Sequence, residues 1–126
     1  MSKTAITSPE LAPPVGPFSQ AIEVGGFIYF SGQVGQDPVT GKVVEGGIAA
    51  ETERVFQNLS VVLKAAGKSF DHVVRAGVYL TSMSDYVALN GIYAKHFSQP
   101  FPARTVIGVA ALPLGACVEI DLVVKD

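Results

Sequence analysis

The sequence predicts an α+β fold, one mixed β-sheet with two helices on one face. Three observations carry this reading. Strand-like and helix-like periodicities follow one another as strand, strand, helix, strand, helix, strand, strand. Two of these passages are strand–helix–strand crossovers, and crossovers of one hand place their helices on the same side of a sheet. A length of 126 residues suits one domain, residues 1–126, because two would each fall below the usual size.

Residues up to Pro17, including Pro13-Pro14-Val15-Gly16-Pro17, read as a prolyl loop leading into the first strand. Two apolar runs, residues 18–24 and 27–30, flank Gly25-Gly26, the spacing of a two-residue hairpin turn. A second turn falls at Asp37-Pro38-Val39-Thr40-Gly41. Over residues 48–66 the period changes to three or four. Ile48, Thr52, Val55, Leu59, Val62 and Ala66 align, Phe56 and Leu63 widen the stripe, and Gly67 is placed to stop the helix. Residues 73–80 form a strand with Val74, Ala76, Val78 and Leu80 on one face. Ser84-Asp85 opens a second helix with Tyr86, Leu89, Asn90, Tyr93 and Phe97 along one side, ended by Pro100 and Pro102. Residues 104–109 and 117–124 are the last strands, bridged by Leu112-Pro113-Leu114-Gly115.

Such a sheet leaves one face bare, and the composition says how it is covered. Nine basic and eleven acidic residues make up 16% of the chain, against about 25% in an ordinary soluble domain. Few charges and 48% apolar residues point to surface buried by self-association. Other partners find less support. A net charge of −2 without a basic run counts against nucleic acid. The uncharged run 105–118 is too short to span a bilayer and is broken by Gly108, Pro113 and Gly115. The N-terminal Met-Ser-Lys-Thr-Ala-Ile lacks the apolar centre of a secretory signal, so a cytoplasmic protein is expected.

Most familiar site chemistries are absent. His72 and His96 stand on different elements without a carboxylate cluster, so no metal is expected. Cys117, the single cysteine, has no basic neighbour in sequence to stabilise a thiolate, and reads as a small apolar residue at a strand start. Asn58-Leu59-Ser60 matches a glycosylation sequon but lies inside a helix. Gly32-Gln33-Val34-Gly35 lacks the pattern and the helix of a phosphate cradle.

Arg104 and Glu119 remain. Arg104 precedes a long uncharged strand, and alternation puts Glu119 and Asp121 on the face away from Val118, Ile120, Leu122 and Val124. Charges aimed at a covered face need partners or a purpose: either a structural ion pair of Arg104 with Glu119 or Asp121, or a functional site. Asn90, in the apolar stripe of the second helix, needs hydrogen-bond partners of its own. Gly32 allows close approach of a ligand or neighbouring backbone, and turn geometry explains it equally well. An arginine in an apolar cleft suits a carboxylate, which its fork holds in one orientation. Without a nucleophile–base pair or cofactor loop, the reaction must be intrinsically easy, and imine hydrolysis fits.

The chain resembles the YjgF/YER057c/UK114 family, the reactive intermediate deaminase A (RidA) family. The likeness rests on Gly16-Pro17-Phe18-Ser19-Gln20-Ala21, Ser31-Gly32-Gln33, Asp37-Pro38 with Thr40-Gly41, and Asn90 followed by Tyr93. Its most specific part is Phe101-Pro102-Ala103-Arg104 with Ala111-Leu112-Pro113 and Val118-Glu119-Ile120. The resemblance implies a chorismate-mutase-like fold and a homotrimer with a central sheet barrel and three clefts between subunits. It implies hydrolysis of enamine/imine intermediates such as 2-aminoacrylate to 2-keto acids and ammonia, without metal or cofactor. By position, Arg104 would bind the substrate carboxylate and Glu119 the attacking water. Phe18, Ser31, Gly32, Asn90 and Thr105 would line the cleft. Two residues depart from many deaminase members, Phe18 in place of tyrosine and Val106 in place of cysteine. A non-catalytic trimer binding small acids, or a ribonuclease acting as translation inhibitor, are the alternative functions.

Overall fold

The central strand of the sheet organises the chain. The computed structural model describes residues 2–126. Its strands are β1 (Thr4–Ile6), β2 (Ala21–Val24), β3 (Phe27–Phe30), β4 (Gln33–Val34), β5 (Val73–Leu80), β6 (Ala103–Gly108) and β7 (Val118–Lys125), with helices α1 (Gly47–Ala65) and α2 (Tyr86–Tyr93). The sheet runs β1-β2-β3-β7-β5-β6, with β4 continuing beside β7 past the end of β3. Only β5 and β6 pair in parallel, with Ala76 opposite Arg104; the other pairings are antiparallel. No helix among the described residues is long and apolar enough to cross a membrane.

Alternation along β7 buries Val118, Ile120, Leu122 and Val124 against both helices. From α1 come Val55, Phe56, Leu59, Val62 and Leu63; from α2, Leu89, Ile92 and Tyr93. One hydrophobic cluster therefore joins both helices to a single sheet face, as the crossover argument expects. The hairpin at Gly25-Gly26 also forms. Both glycines take positive φ, 59° and 82°, the conformation that a two-residue turn needs to match strand twist. Past the end of α1, the Gly67 N–H donates to the Lys64 carbonyl and the Lys68 N–H to the Leu63 carbonyl, the double bond of a glycine stop.

Several expectations need correction. The prolyl lead-in is not wholly loop, because Thr4–Ile6 pairs with β2; three residues carry too little pattern to announce a strand. The first long strand starts at Ala21, since Phe18 and Ser19 turn aside before it. Val73, not Val74, packs inward with Ala76, because a bulge between Val73 and Arg75 shifts the alternation. Asp85 makes no side-chain cap, and α2 ends at Tyr93, well before the prolines. Phe97 lies beyond the helix yet still packs into the core, 4.5 Å between ring centroids from Tyr93 and 5.4 Å from Phe70.

Asn58 shows how α1 is held to the sheet. Its Nδ2 donates to the carbonyls of Val34 (3.2 Å) and Gln36 (3.0 Å), and its Oδ1 accepts from Arg54 Nε at 3.1 Å. The residue is 1% exposed, so this sequon asparagine is closed to modification in the folded chain. Asn58→Ala leaves the Gln36 carbonyl without its donor and the Val34 carbonyl with the Gln36 N–H alone, and is expected to destabilise the fold by about 1–3 kcal/mol. Urea unfolding should show this as a lower midpoint with an unchanged slope.

Candidate active site

Arg104 sits on the edge strand β6, opposite Ala76, and Ala76 in turn faces Leu122 across β5 and β7. This register turns Arg104 toward the helices. Its Nη1 donates to Asn90 Oδ1 at 2.9 Å and its Nη2 to the Tyr86 hydroxyl at 3.3 Å. The guanidinium carbon lies 4.7 Å from the Tyr93 ring centroid, within range of a cation–π contact. Tyr86, Asn90 and Tyr93 are four and three residues apart on α2, so one helix face supplies all three. No carboxylate among the described residues pairs with Arg104: the salt bridges are Lys68–Asp126 and His96–Glu53. Beside it opens a cavity of about 270 Å³ lined by Asn90, Tyr93, Ala94, Phe101, Pro102 and Arg104.

Glu119 lies on the other face, opposite Tyr79 of β5 and Val34 of β4. The ion pair of Arg104 with Glu119 or Asp121, one of the two sequence readings, is therefore not made within the chain. Both lie two strands from Arg104, Glu119 three positions along and Asp121 one, Cα separations of roughly 14 Å and 10 Å from strand spacing and rise, and both side chains point to the opposite face. Asn90 ties α2 to Arg104 itself.

The carboxylate of Glu119 rests on Gly32, where a Cβ would lie 2.5 Å from Oε2 and 2.8 Å from Cδ; the residue must be glycine for Glu119 to keep this position. Ser31 stands next to it, its Oγ donating to the Ser19 carbonyl at 2.6 Å. Phe18 adjoins Ser19 and is half-exposed. Gly32 and Glu119, with Ser31 beside them, thus form one group, and Arg104, Asn90 and the cavity form another; Phe18 connects to the first only through the neighbouring Ser19. The Thr105 side chain shares neither, since it faces away from the cavity and accepts from Arg75 Nη2 at 3.2 Å. Its backbone lies on an edge strand with one side free.

Sequence reading missed three participants. Tyr86 and Tyr93 flank Asn90 at helical spacing, a signal present in the stripe but credited to the core. Tyr79 is another, and Asp121, placed on this face by alternation, gains its partner: the Tyr79 hydroxyl donates to Asp121 Oδ2 at 2.9 Å, and Asp121 Oδ1 lies 2.5 Å from where a Cβ on Gly77 would sit. Cross-strand pairing was needed to see them.

The remaining candidates are structural. His96 stacks on Phe56 with ring centroids 4.1 Å apart, and His72 Nδ1 accepts from the Ser69 backbone N–H. Burial, with Glu51 beside it, pushes the Cys117 thiol up to about 12, so it stays protonated and unreactive. No group of three or more His, Cys, Asp and Glu among the described residues is placed to hold a metal ion.

Burial, and secondarily the charge of Asp121, raises Glu119 above the ordinary carboxylate range. The folded chain then holds that proton more tightly than the unfolded chain. Its contribution favours folding below the unfolded pKa and is lost as pH rises through the folded one. For the chain as a monomer, Glu119→Gln is therefore expected to raise the melting temperature at pH 7. Calorimetric melts taken at successively lower pH should show that gain disappear.

Residues 9–125 match the family described as Endoribonuclease L-PSP. A 2-iminobutanoate/2-iminopropanoate deaminase of Dermatophagoides farinae is 41% identical, over 98% of this chain and 98% of its own. The human protein of that name is 45% identical, over 86% of this chain and 80% of its own. The crystal structure of RidA from an Antarctic Psychrobacter matches with a TM-score of 0.92 and 41% identity, covering 98% and 99% of the two chains. A shared sequence pattern along nearly the whole chain and a superposable fold place this protein in the YjgF/RidA family.

Proposed function

We propose that this protein hydrolyses 2-imino acids and their enamine tautomers, such as 2-aminoacrylate, to 2-keto acids and ammonia. The observation that carries the reading is Arg104, a guanidinium without a counter-ion, held by Asn90, Tyr86 and the Tyr93 ring beside an apolar-walled cavity. Two of its five N–H groups are taken by Asn90 and Tyr86, and three remain for a carboxylate. The deaminase names of relatives above 40% identical support the choice of substrate.

The chemistry then needs a water and a proton carrier. Water adds to the C=N carbon, giving a carbinolamine; Glu119 accepts the water proton and returns it to the nitrogen. Glu119 then takes the carbinolamine hydroxyl proton and delivers it to the amino group, so that the C–N bond breaks, ammonia leaves and the C=O bond forms. A carboxyl raised toward neutrality suits both transfers. No step calls for a metal or cofactor.

Arg104 and Glu119 lie on opposite faces of one sheet, so we place the complete site between subunits, Arg104 of one chain meeting Phe18, Ser31, Gly32 and Glu119 of its neighbour. A homotrimer accommodates this, its subunits meeting through the open sheet face, where Tyr29 and Ile107 are half-exposed. A binding module for small acids would use the same arginine without productive water, and turnover separates the two. The low density of basic charge gives no support to an RNA-cleaving role.

Arg104→Ala should lower kcat/KM for 2-iminopropanoate generated in situ by about 30- to 1,000-fold, the worth of a charge-assisted anchor, while light scattering still gives the mass of three chains. Mixing subunits tests the placement of the site. Arg104→Ala and Glu119→Gln are each expected to be nearly inactive alone. Refolded together at equal amounts, they should regain about a quarter of wild-type activity, because random assembly unites intact halves at that frequency. Sites contained within one chain would regain nothing.

A further inference from the structure

We propose, on the deaminase reading above, that Tyr79 and Asp121 form a tuning pair for Glu119: Tyr79 pins the Asp121 carboxylate beside Glu119, and its negative charge sets the pH at which Glu119 exchanges its proton. Three features of β5 and β7 build the pair. Tyr79 stands directly opposite Glu119 in the register, yet its hydroxyl donates to Asp121 Oδ2 at 2.9 Å. Gly77 stands directly opposite Asp121, and its missing side chain lets Asp121 Oδ1 settle onto the strand, where any Cβ would be 2.5 Å away. Asp121 and Glu119 are two residues apart on β7 and so share a face. The carboxylate is thus tied down rather than free to swing into solvent.

The surroundings leave Asp121 as the near charge. From β5, Tyr79 and the cation Arg75 face this region, and Arg75 Nη2 is engaged with Thr105. From β6 come Ala103, Thr105 and Ile107, and from β4 Val34, none of them ionisable, while β3 brings the neutral phenol of Tyr29 opposite Val123. Asp121 accordingly adds to the effect of burial in raising Glu119. The hydrogen bond to Asp121 is also the main cause that lifts the Tyr79 hydroxyl, which keeps it a donor. In the proposed trimer a neighbour's Arg104 pulls Glu119 the other way. Asp121 and that arginine together would then hold Glu119 where it both takes and returns a proton. Asp121 and Tyr79 act through Glu119 and are positioning residues, not catalytic ones.

Asp121→Asn keeps the shape and the acceptor for Tyr79 while removing the charge. Carbon-13 carboxyl NMR should show the Glu119 titration midpoint fall in this variant, with the trimer mass unchanged. The acid limb of kcat/KM for 2-iminopropanoate should move to lower pH by the same shift. Tyr79→Phe, which frees Asp121, should move the Glu119 midpoint by itself and add nothing to Asp121→Asn. An unmoved midpoint in Asp121→Asn overturns the tuning pair, as does an additive effect of Tyr79→Phe. A midpoint that falls in a protein without imine hydrolysis, wild type included, leaves the pair standing and overturns the deaminase reading instead.

Discussion

The alternation of β7 is the constraint on which the rest of the molecule depends. Its even-numbered residues, Val118 to Val124, fill the core between sheet and helices. That burial fixes Glu119 and Asp121 on the other face, because a one-residue slip would exchange the two sets. The strand is paired on both sides, by β3 and β4 along one edge and β5 along the other, so the register has no freedom to drift. β5 hands the same register to β6, and Arg104 comes out facing the helices. The hydrophobic effect thus decides the orientation of both charges, and neither pays for its own placement through an ion pair within the chain.

What could be read from the sequence follows from this. Val118, Ile120, Leu122 and Val124 alternate plainly, so the direction of Glu119 was legible, as were the stripe of α1 and the Gly25-Gly26 turn. Arg104 was legible as an oddity but not in orientation, since one charge at the head of an uncharged strand does not say which face is inward. The parallel pairing of Ala76 with Arg104 decides that, and such pairing is a tertiary fact. The same holds for the bulge at Val73 and Arg75 and for the meeting of Tyr79 with Asp121 across 42 residues of chain. The two-residue β4 is set by partners rather than propensity, and no local pattern announces it. Local periodicity wrote the elements; long-range register wrote the site.

Arg104 is costly to the chain that carries it. A half-buried guanidinium loses hydration, and two neutral acceptors with an aromatic face offset only part of that loss. Glu119 is costly in the opposite sense, a carboxylate desolvated beside a second negative charge. A carboxylate placed next to Arg104 would relieve it, and in the proposed assembly a neighbour's cation would relieve Glu119. The departures at Phe18 and Val106 touch neither charge: Phe18 keeps an aromatic wall without its hydroxyl, and Val106 shares the Arg104 face, where it packs against the core.

The separation of the two groups also bears on symmetry. The Arg104 group and the Glu119 group are different surfaces, so bringing them together between copies makes a heterologous contact, not a two-fold one. A pair of chains joined this way would leave one arginine group and one glutamate group unmatched. A closed ring leaves none, and three copies complete three sites while the same rotation covers the open sheet face of each chain. The low charge content, the bare face and the split site then have one physical cause. In the proposed trimer, the chain stabilises one sheet face by its own helices, and a copy of itself would cover the other and complete each site.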